Sequence, residues 1–154
     1  MKKNASGFTL IELVVALVIA AILAAIAVPS YLNYSRQSRR TEAKTALLDM
    51  AALEERYYSV NNTYSANTAD LGYTGPWPVT VGSGYYQIAL PAVLAATAPT
   101  AALPAGTPAT YTLTAVAIND QVNDTACATF TLTSAGVQGA FTSAATPNNF
   151  TCWH

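Results

Sequence analysis

M-K-K-N-A-S-G-F-T-L-I-E-L occupies residues 1–13, and its last residues open an apolar run in which, from Phe8 to Tyr34, Glu12 is the sole formally charged side chain. About 20 apolar residues in a helix are enough to cross a bilayer core of ~30 Å. A carboxylate inside such a segment costs roughly 2.5–3.5 kcal/mol on insertion scales, so it needs a compensating reason. Three readings compete. A secretory signal would use Lys2 and Lys3 as its basic region and Ala25-Ile26-Ala27 as its cleavage site. The apolar run exceeds the usual ~7–15 residues of such a signal, and Glu12 interrupts it. A plain membrane anchor would keep the two lysines in the cytoplasm. Glu12 would then reach for the interface from the helix end.

The third reading is a resemblance. Gly7-Phe8-Thr9-Leu10-Ile11-Glu12-Leu13, followed by I-L-A-A-I-A-V-P-S-Y at residues 22–31, resembles the N-terminus of a bacterial type IV pilin. The resemblance implies cleavage after Gly7 by a prepilin peptidase, then methylation of the new amine on Phe8. It implies an inner-membrane precursor, single-pass with its N-terminus cytoplasmic, which the assembly machinery builds into an extracellular filament of pilin subunits. It also places Glu12 beside the amine of a neighbouring subunit. In a medium of low dielectric such pairing offsets much of the cost of burying the charge. Where relatives often carry glycine, this chain has Ala21, a better helix former by ~0.8–1 kcal/mol.

The chain has 154 residues and a formal charge of −1, enough for one small domain plus a membrane segment. Expected divisions are a leader at 1–7, a transmembrane and filament-core helix at 8–34, and a soluble head at 35–154. Charge is uneven. All seven Lys and Arg lie at or before Arg56, and residues 59–154 hold only three acids, Asp70, Asp120 and Asp124. Proteins hold nucleic acid chiefly by neutralising phosphates with Lys and Arg. Direct DNA binding by this head is therefore not expected.

Ala43, Ala46, Leu47, Met50, Leu53 and Tyr57 recur at three- and four-residue steps and mark one face of a helix. Glu54 falls inside that apolar arc without an evident partner. Pro29 lacks an N–H and is expected to kink a helix running from about Phe8 to Tyr58 rather than end it. The cluster Arg36, Arg39, Arg40, Glu42, Lys44 reads either as a solvated face or as a set of intersubunit or membrane-surface contacts. The block E-R-Y-Y-S-V-N-N-T-Y-S at residues 55–65 resembles the helix-to-loop junction of minor pilins of the PilE type.

Strands are expected at Tyr85–Leu90, Thr110–Ile118, Ala126–Thr133 and Val137–Phe141, the last two joined by a Ser134-Ala135-Gly136 turn. The Ala/Thr/Pro-rich stretch Pro91–Pro108 reads as an exposed connection. The fold class is α+β, with a long N-terminal helix packed on a small antiparallel sheet of about four strands. Two cysteines remain, Cys127 and Cys152. An even count in a head outside the cytoplasm suggests a disulfide. A zinc site completed by His154 matches no standard spacing. The resemblance implies a C-terminal disulfide loop, which most pseudopilins of type II secretion lack.

The single histidine is the last residue, so Ser-His-Asp and Cys-His arrangements lack their base. Gly82-Ser83-Gly84 leads into a strand and is no phosphate loop. No enzyme, cofactor or metal is expected. The sequence is identified as a type IV pilin, of the minor kind by its PilE-like features. It would serve adhesion, twitching motility or DNA uptake. Two alternatives stand beside it: an adhesive or receptor tip whose uncharged head binds a surface ligand, and a pseudopilin of a secretion machine.

Overall fold

The computed structural model describes residues 9–97 and 107–153. Helix α1 (Leu10–Asn61) continues through Pro29. Contacts divide the chain into two compact units, Met1–Ser35 and Arg36–His154. In the described part of the first, the α1 side chains from Leu10 to Tyr34 are exposed, including the large apolar Leu10, Leu17, Leu23 and Ile26. By length and composition, α1 is long and apolar enough to cross a membrane.

The second unit is built on the amphipathic part of α1 and an antiparallel sheet. Ala43, Leu47, Met50 and Glu54 are the buried residues of α1, while Ala46, Leu53 and Tyr57 pack partly buried against the same core. The sheet comprises β1 (Val79–Val81), β2 (Tyr86–Ile88), β3 (Ala92–Leu94), β4 (Thr110–Ala117), β5 (Thr129–Thr133) and β6 (Gln138–Phe141). A short helix, α2 (Asn149–Cys152), follows. The order is β1-β2-β4-β5-β6, with β3 also paired to β4, and each of these pairs is antiparallel.

Strand alternation decides which face is buried, because successive side chains point to opposite faces. Tyr111, Leu113, Ala115 and Ala117 of β4 are buried, and Thr110, Thr112, Thr114 and Val116 between them are not. Phe130 and Leu132 of β5 continue the same face. They meet Leu47 and Met50 of α1 in one core with Tyr86 and Ile88 of β2. Each large apolar side chain so buried contributes roughly 1.5–3 kcal/mol relative to exposure.

Two strands were not expected from the sequence. β1 forms a hairpin with β2. Its turn places Gly82 at φ 55° and Gly84 at φ 87°, a region open to glycine at little cost. β3 replaces the first part of the connection expected at Pro91–Pro108. It lies along the same edge of β4 as β2, because Ile88 pairs with Ala115, Ala92 with Thr112, and β5 occupies the other edge. Pro91 stands between them. It has no N–H to give to the ladder and so divides one strand into two. Between Thr97 and Thr107, which bridge to each other, this connection lies outside the described residues. β5 also begins later than expected, at Thr129, because Asp124–Cys127 forms a turn closed by Cys127 N–H on Asp124 O at 3.2 Å.

Candidate functional site

The N-terminal end of α1 shows what surrounds Glu12. The Glu12 amide donates to Thr9 Oγ1 at 3.3 Å, and the Thr9 hydroxyl approaches Glu12 Oε2 at 3.5 Å. Thr9 sits at the N-cap and Glu12 three residues on, the spacing of a capping box. A carboxylate in the first turn is also favoured by the positive end of the helix dipole. Glu12 thus has a local use within its own chain, legible as Thr-x-x-Glu but not recognised as such from the sequence. Gly7 and Phe8, with the rest of the expected leader, lie outside the described residues.

The charged cluster of α1 is neither a free solvated face nor an unengaged contact surface, because most of it is used inside the second unit. Arg40 Nε and Nη2 donate to the two carboxylate oxygens of Asp124 at 2.6 and 2.7 Å. This pairing holds the Arg40 guanidinium above its usual range, chiefly through the hydrogen bond. Asp124 also accepts from Gln121 Nε2 at 3.0 Å. Gln121 Nε2 lies 3.2 Å from the Tyr86 hydroxyl, which donates to Cys127 O at 3.0 Å. Burial pushes the Tyr86 hydroxyl up to about 12, so it stays a donor.

Arg39 stacks over the Tyr85 ring at 3.4 Å from its centroid, a cation–π contact. Glu42 Oε2 accepts from both the amide and the hydroxyl of Ser83, at 2.8 and 2.6 Å. These bonds hold its carboxyl below the usual range. A side chain at Gly82 would run into that carboxylate, so the glycine is required by the close approach as well as by its φ. Lys44 donates to Cys152 O at 3.3 Å, and burial pulls its ammonium below the usual lysine range. The side chains of Arg36 and Arg56 have no hydrogen-bond or ion-pair partner among the described residues.

Glu54 is fully buried, and its Oε2 accepts the Ser65 amide at 3.0 Å. It thereby fastens the segment after α1 back onto the helix. Its Oε1 has no hydrogen-bond partner among the described residues. Burial pushes its carboxyl up, and the nearby Glu55 and Asp70 add to that. Beside it, Tyr64 stacks on Tyr58 and meets Tyr111 edge-on, both at 4.7 Å between centroids.

Cys127 and Cys152 are disulfide-bonded, with Cα atoms 5.8 Å apart. Both sulfurs are therefore unavailable as thiolate ligands. The bond closes a loop containing β5, β6 and α2. Trp153 then packs its ring edge-on against Phe130 at 5.8 Å and donates from Nε1 to Gly139 O at 2.7 Å.

Sequence reasoning missed Arg40–Asp124, Glu42–Ser83 and Glu54–Ser65. The first had a signal. Asp120 and Asp124 are the only acids after Asp70, in a stretch without Lys or Arg. An acid isolated in that way and then buried needs a cation from elsewhere in the chain.

The sequence model of one family, described as "Type IV minor pilin ComP, DNA uptake sequence receptor", matches residues 29–131. A second, the "Prokaryotic N-terminal methylation motif", matches residues 2–28. The chain is similar to the type IV major pilin protein PilA of Myxococcus xanthus, 37% identical over 67 residues, 44% of this chain and 30% of that one. It is similar to the type IV wide pilus major component PilA4 of Thermus thermophilus, 41% identical over 69 residues, 45% of this chain and 53% of that one. It is similar also to the fimbrial protein EcpC of Eikenella corrodens, 38% identical over 72 residues, 47% of each chain. These matches span between 30% and 53% of the relatives' own lengths. Among solved structures, a type IV pilin from Shewanella oneidensis aligns over 67% of this chain and 89% of its own at 28% identity, with a TM-score of 0.41.

Proposed function

The chain belongs to the type IV pilins, in the family described as type IV minor pilin ComP, and on that premise we propose that it is a minor subunit of a bacterial pilus. The observation that carries this reading is the exposed apolar part of α1, headed by one carboxylate at Glu12 and matched by the methylation motif. An apolar helical surface of this length is stable in lipid or against other helices of its kind, not in water. In the proposed course, prepilin peptidase cuts after Gly7, and the Phe8 amine is methylated. The helix over 8–34 anchors the precursor in the inner membrane as a single pass with its N-terminus cytoplasmic. The same helix then passes into the filament core, where Glu12 of one subunit meets the Phe8 amine of the next. The test is mass spectrometry of purified surface filaments. The expected result is a peptide beginning at methylated Phe8, at a small fraction of the abundance of the main subunit. A mature N-terminus at Val28 would establish a secretory signal instead.

Family membership brings a second reading, that this head is itself a DNA receptor. The distribution of cations favours the first reading. None of the seven Lys and Arg lies beyond Arg56. Of those on the helix, Arg39, Arg40 and Lys44 already serve Tyr85, Asp124 and Cys152. With few cations free to hold phosphates, retention of DNA should be weak and should fall steeply with salt. Full-length protein in detergent should therefore retain duplex DNA only weakly at physiological salt. Micromolar or tighter retention that survives alanine at Arg36, Arg39, Arg40, Lys44 and Arg56 would establish the receptor reading through an aromatic surface.

A further inference from the structure

The outer face of the sheet, turned away from the core, carries a groove of about 480 Å³ between β4, β5, β6 and the segment after β6. Its volume lies within the ~300–1,000 Å³ usual for small-ligand sites. Among the described residues, no charged side chain lines it. Val116, Val122 and Phe141 supply apolar surface, and Thr129, Thr131 and Ser143 supply hydroxyls. Those three hydroxyls have no hydrogen-bond partner among the described residues. We propose that this groove is a binding site for a neutral saccharide, one or two pyranose rings in size.

The chemistry of the lining selects the ligand. A pyranose presents a C–H face that packs on an aromatic or branched aliphatic surface, and a rim of hydroxyls that both donate and accept. Threonine and serine hydroxyls also do both, so they match that rim without imposing a charge. A phosphate, carboxylate or ammonium ligand would find no counter-charge in the groove and would lose its hydration on entry. A purely apolar ligand would leave three hydroxyls without water or partner.

The groove is also held in shape. Gly139 pairs with Thr131 across β5 and β6. A side chain at Gly139 would collide with Thr131 Oγ1 and press on the Phe141 ring. Its absence leaves room for the hydroxyl and the ring to stand side by side on the groove floor. Glycine in a strand interior often marks such a close approach. The rim beyond β6 is pinned by Thr142 N–H on Thr146 O and Ser143 N–H on Thr125 O, both at 2.9 Å. Little ordering is then left for the ligand to impose.

The site does not depend on filament assembly and is tested on the subunit alone. Full-length protein is held in micelles of a polyoxyethylene detergent, which has no sugar headgroup. Saturation-transfer NMR is then recorded with lactose, maltose and N-acetyllactosamine, and with sialyllactose as the charged comparison. The expected result is binding of at least one neutral disaccharide with Kd of about 1 mM. Thr131→Val should weaken it about tenfold, as loss of one hydrogen bond from a buried partner does. Thr129→Val should act in the same direction, and melting temperatures should be unchanged in both variants. Absence of binding by all three neutral sugars overturns the proposal. So does equal binding by wild type and the Thr129→Val, Thr131→Val double variant, or stronger binding of sialyllactose than of lactose. The measurement is repeated on purified filaments. Binding there supports a receptor groove, whereas loss of binding on assembly makes a neighbouring filament subunit its occupant and overturns the saccharide role.

Discussion

Arg40 and Asp124, 84 residues apart in sequence, are joined by two hydrogen bonds of 2.6 and 2.7 Å between guanidinium and carboxylate. The Asp124 side chain is 4% exposed and that of Arg40 19%, so the pair is largely withdrawn from water. It ties α1 to the turn that leads into Cys127, and Gln121 and the Tyr86 hydroxyl extend the same network into the core.

Breaking one side of that pair should cost more than replacing both. A buried charge left without its partner is typically destabilising by ~3–5 kcal/mol, whereas an apolar replacement of the pair is often near neutral. Asp124→Ala is expected to lower stability by about 3 kcal/mol, and Arg40→Met with Asp124→Leu by clearly less. Thermal unfolding of the four corners of the cycle measures the coupling. Additive losses would show that the pair contributes nothing of its own. Because Arg40 is held above its ordinary range, it stays charged through any usable alkaline pH.

Glu54 should make the fold prefer acid over a limited window. Its folded carboxyl is raised above the ordinary 4.5, so between that value and the folded one the native state binds the extra proton. Stability contributed by the protonated form is then present below the ordinary value and is lost as pH rises through the folded one. Glu54→Gln keeps an acceptor for the Ser65 amide and removes the charge. It should raise stability at pH 7 by about 1 kcal/mol, the scale of one satisfied polar group. The gain over wild type should shrink as pH falls towards 4.5. A variant less stable than wild type at pH 7 would show that the buried charge has a partner the structure does not account for.

The disulfide between Cys127 and Cys152 closes a loop of sequence separation 25. In the chain-entropy model such a loop is worth ~3 kcal/mol. Cys127→Ser with Cys152→Ser should cost that amount and expose the Trp153 ring, read as a shift in tryptophan emission. Alkylation in denaturant without reductant should label neither cysteine of the native chain; two labels per chain would reject the bond.

Glu12 can act as a cap within its chain or as a charge partner between chains, and two substitutions separate these. Glu12→Ala removes both functions. Glu12→Gln retains the capping-box side chain and loses the charge. If pairing with the Phe8 amine drives assembly, both variants should accumulate in the membrane at normal levels and be depleted from filaments at least tenfold. Normal incorporation of Glu12→Gln would leave only the cap. Processing is checked in parallel with Gly7→Leu, which should retain the uncleaved chain.

Much of the fold could be read from local patterns, because a local pattern was what determined it. The apolar run headed by Glu12 and the three- and four-residue steps from Ala43 to Tyr57 define α1 without reference to any other element. The alternation of Phe130 and Leu132 with threonines defines the buried face of β5 in the same way. β1 and β3 escaped notice because three residues beside a proline carry too little pattern to be seen. β3 exists because the longer β4 offers it an edge, and β1 because its turn folds it back on β2, itself paired to β4.

What the sequence determined by itself is therefore the pilin N-terminus, the amphipathic helix, the longer strands and an almost uncharged head. Each depends on residue type and spacing over a few turns or strand positions. What only the tertiary structure decided is where the charges went. Arg39, Arg40, Glu42 and Lys44 share one stretch of helix, and sequence alone leaves their partners open. Folding brought Tyr85, Asp124, Ser83 and the carbonyl of Cys152 to them. It likewise set Thr131 beside Phe141 opposite a glycine. Electrostatic and hydrogen-bond energies depend on distance and burial, and neither has a value until the chain has closed on itself.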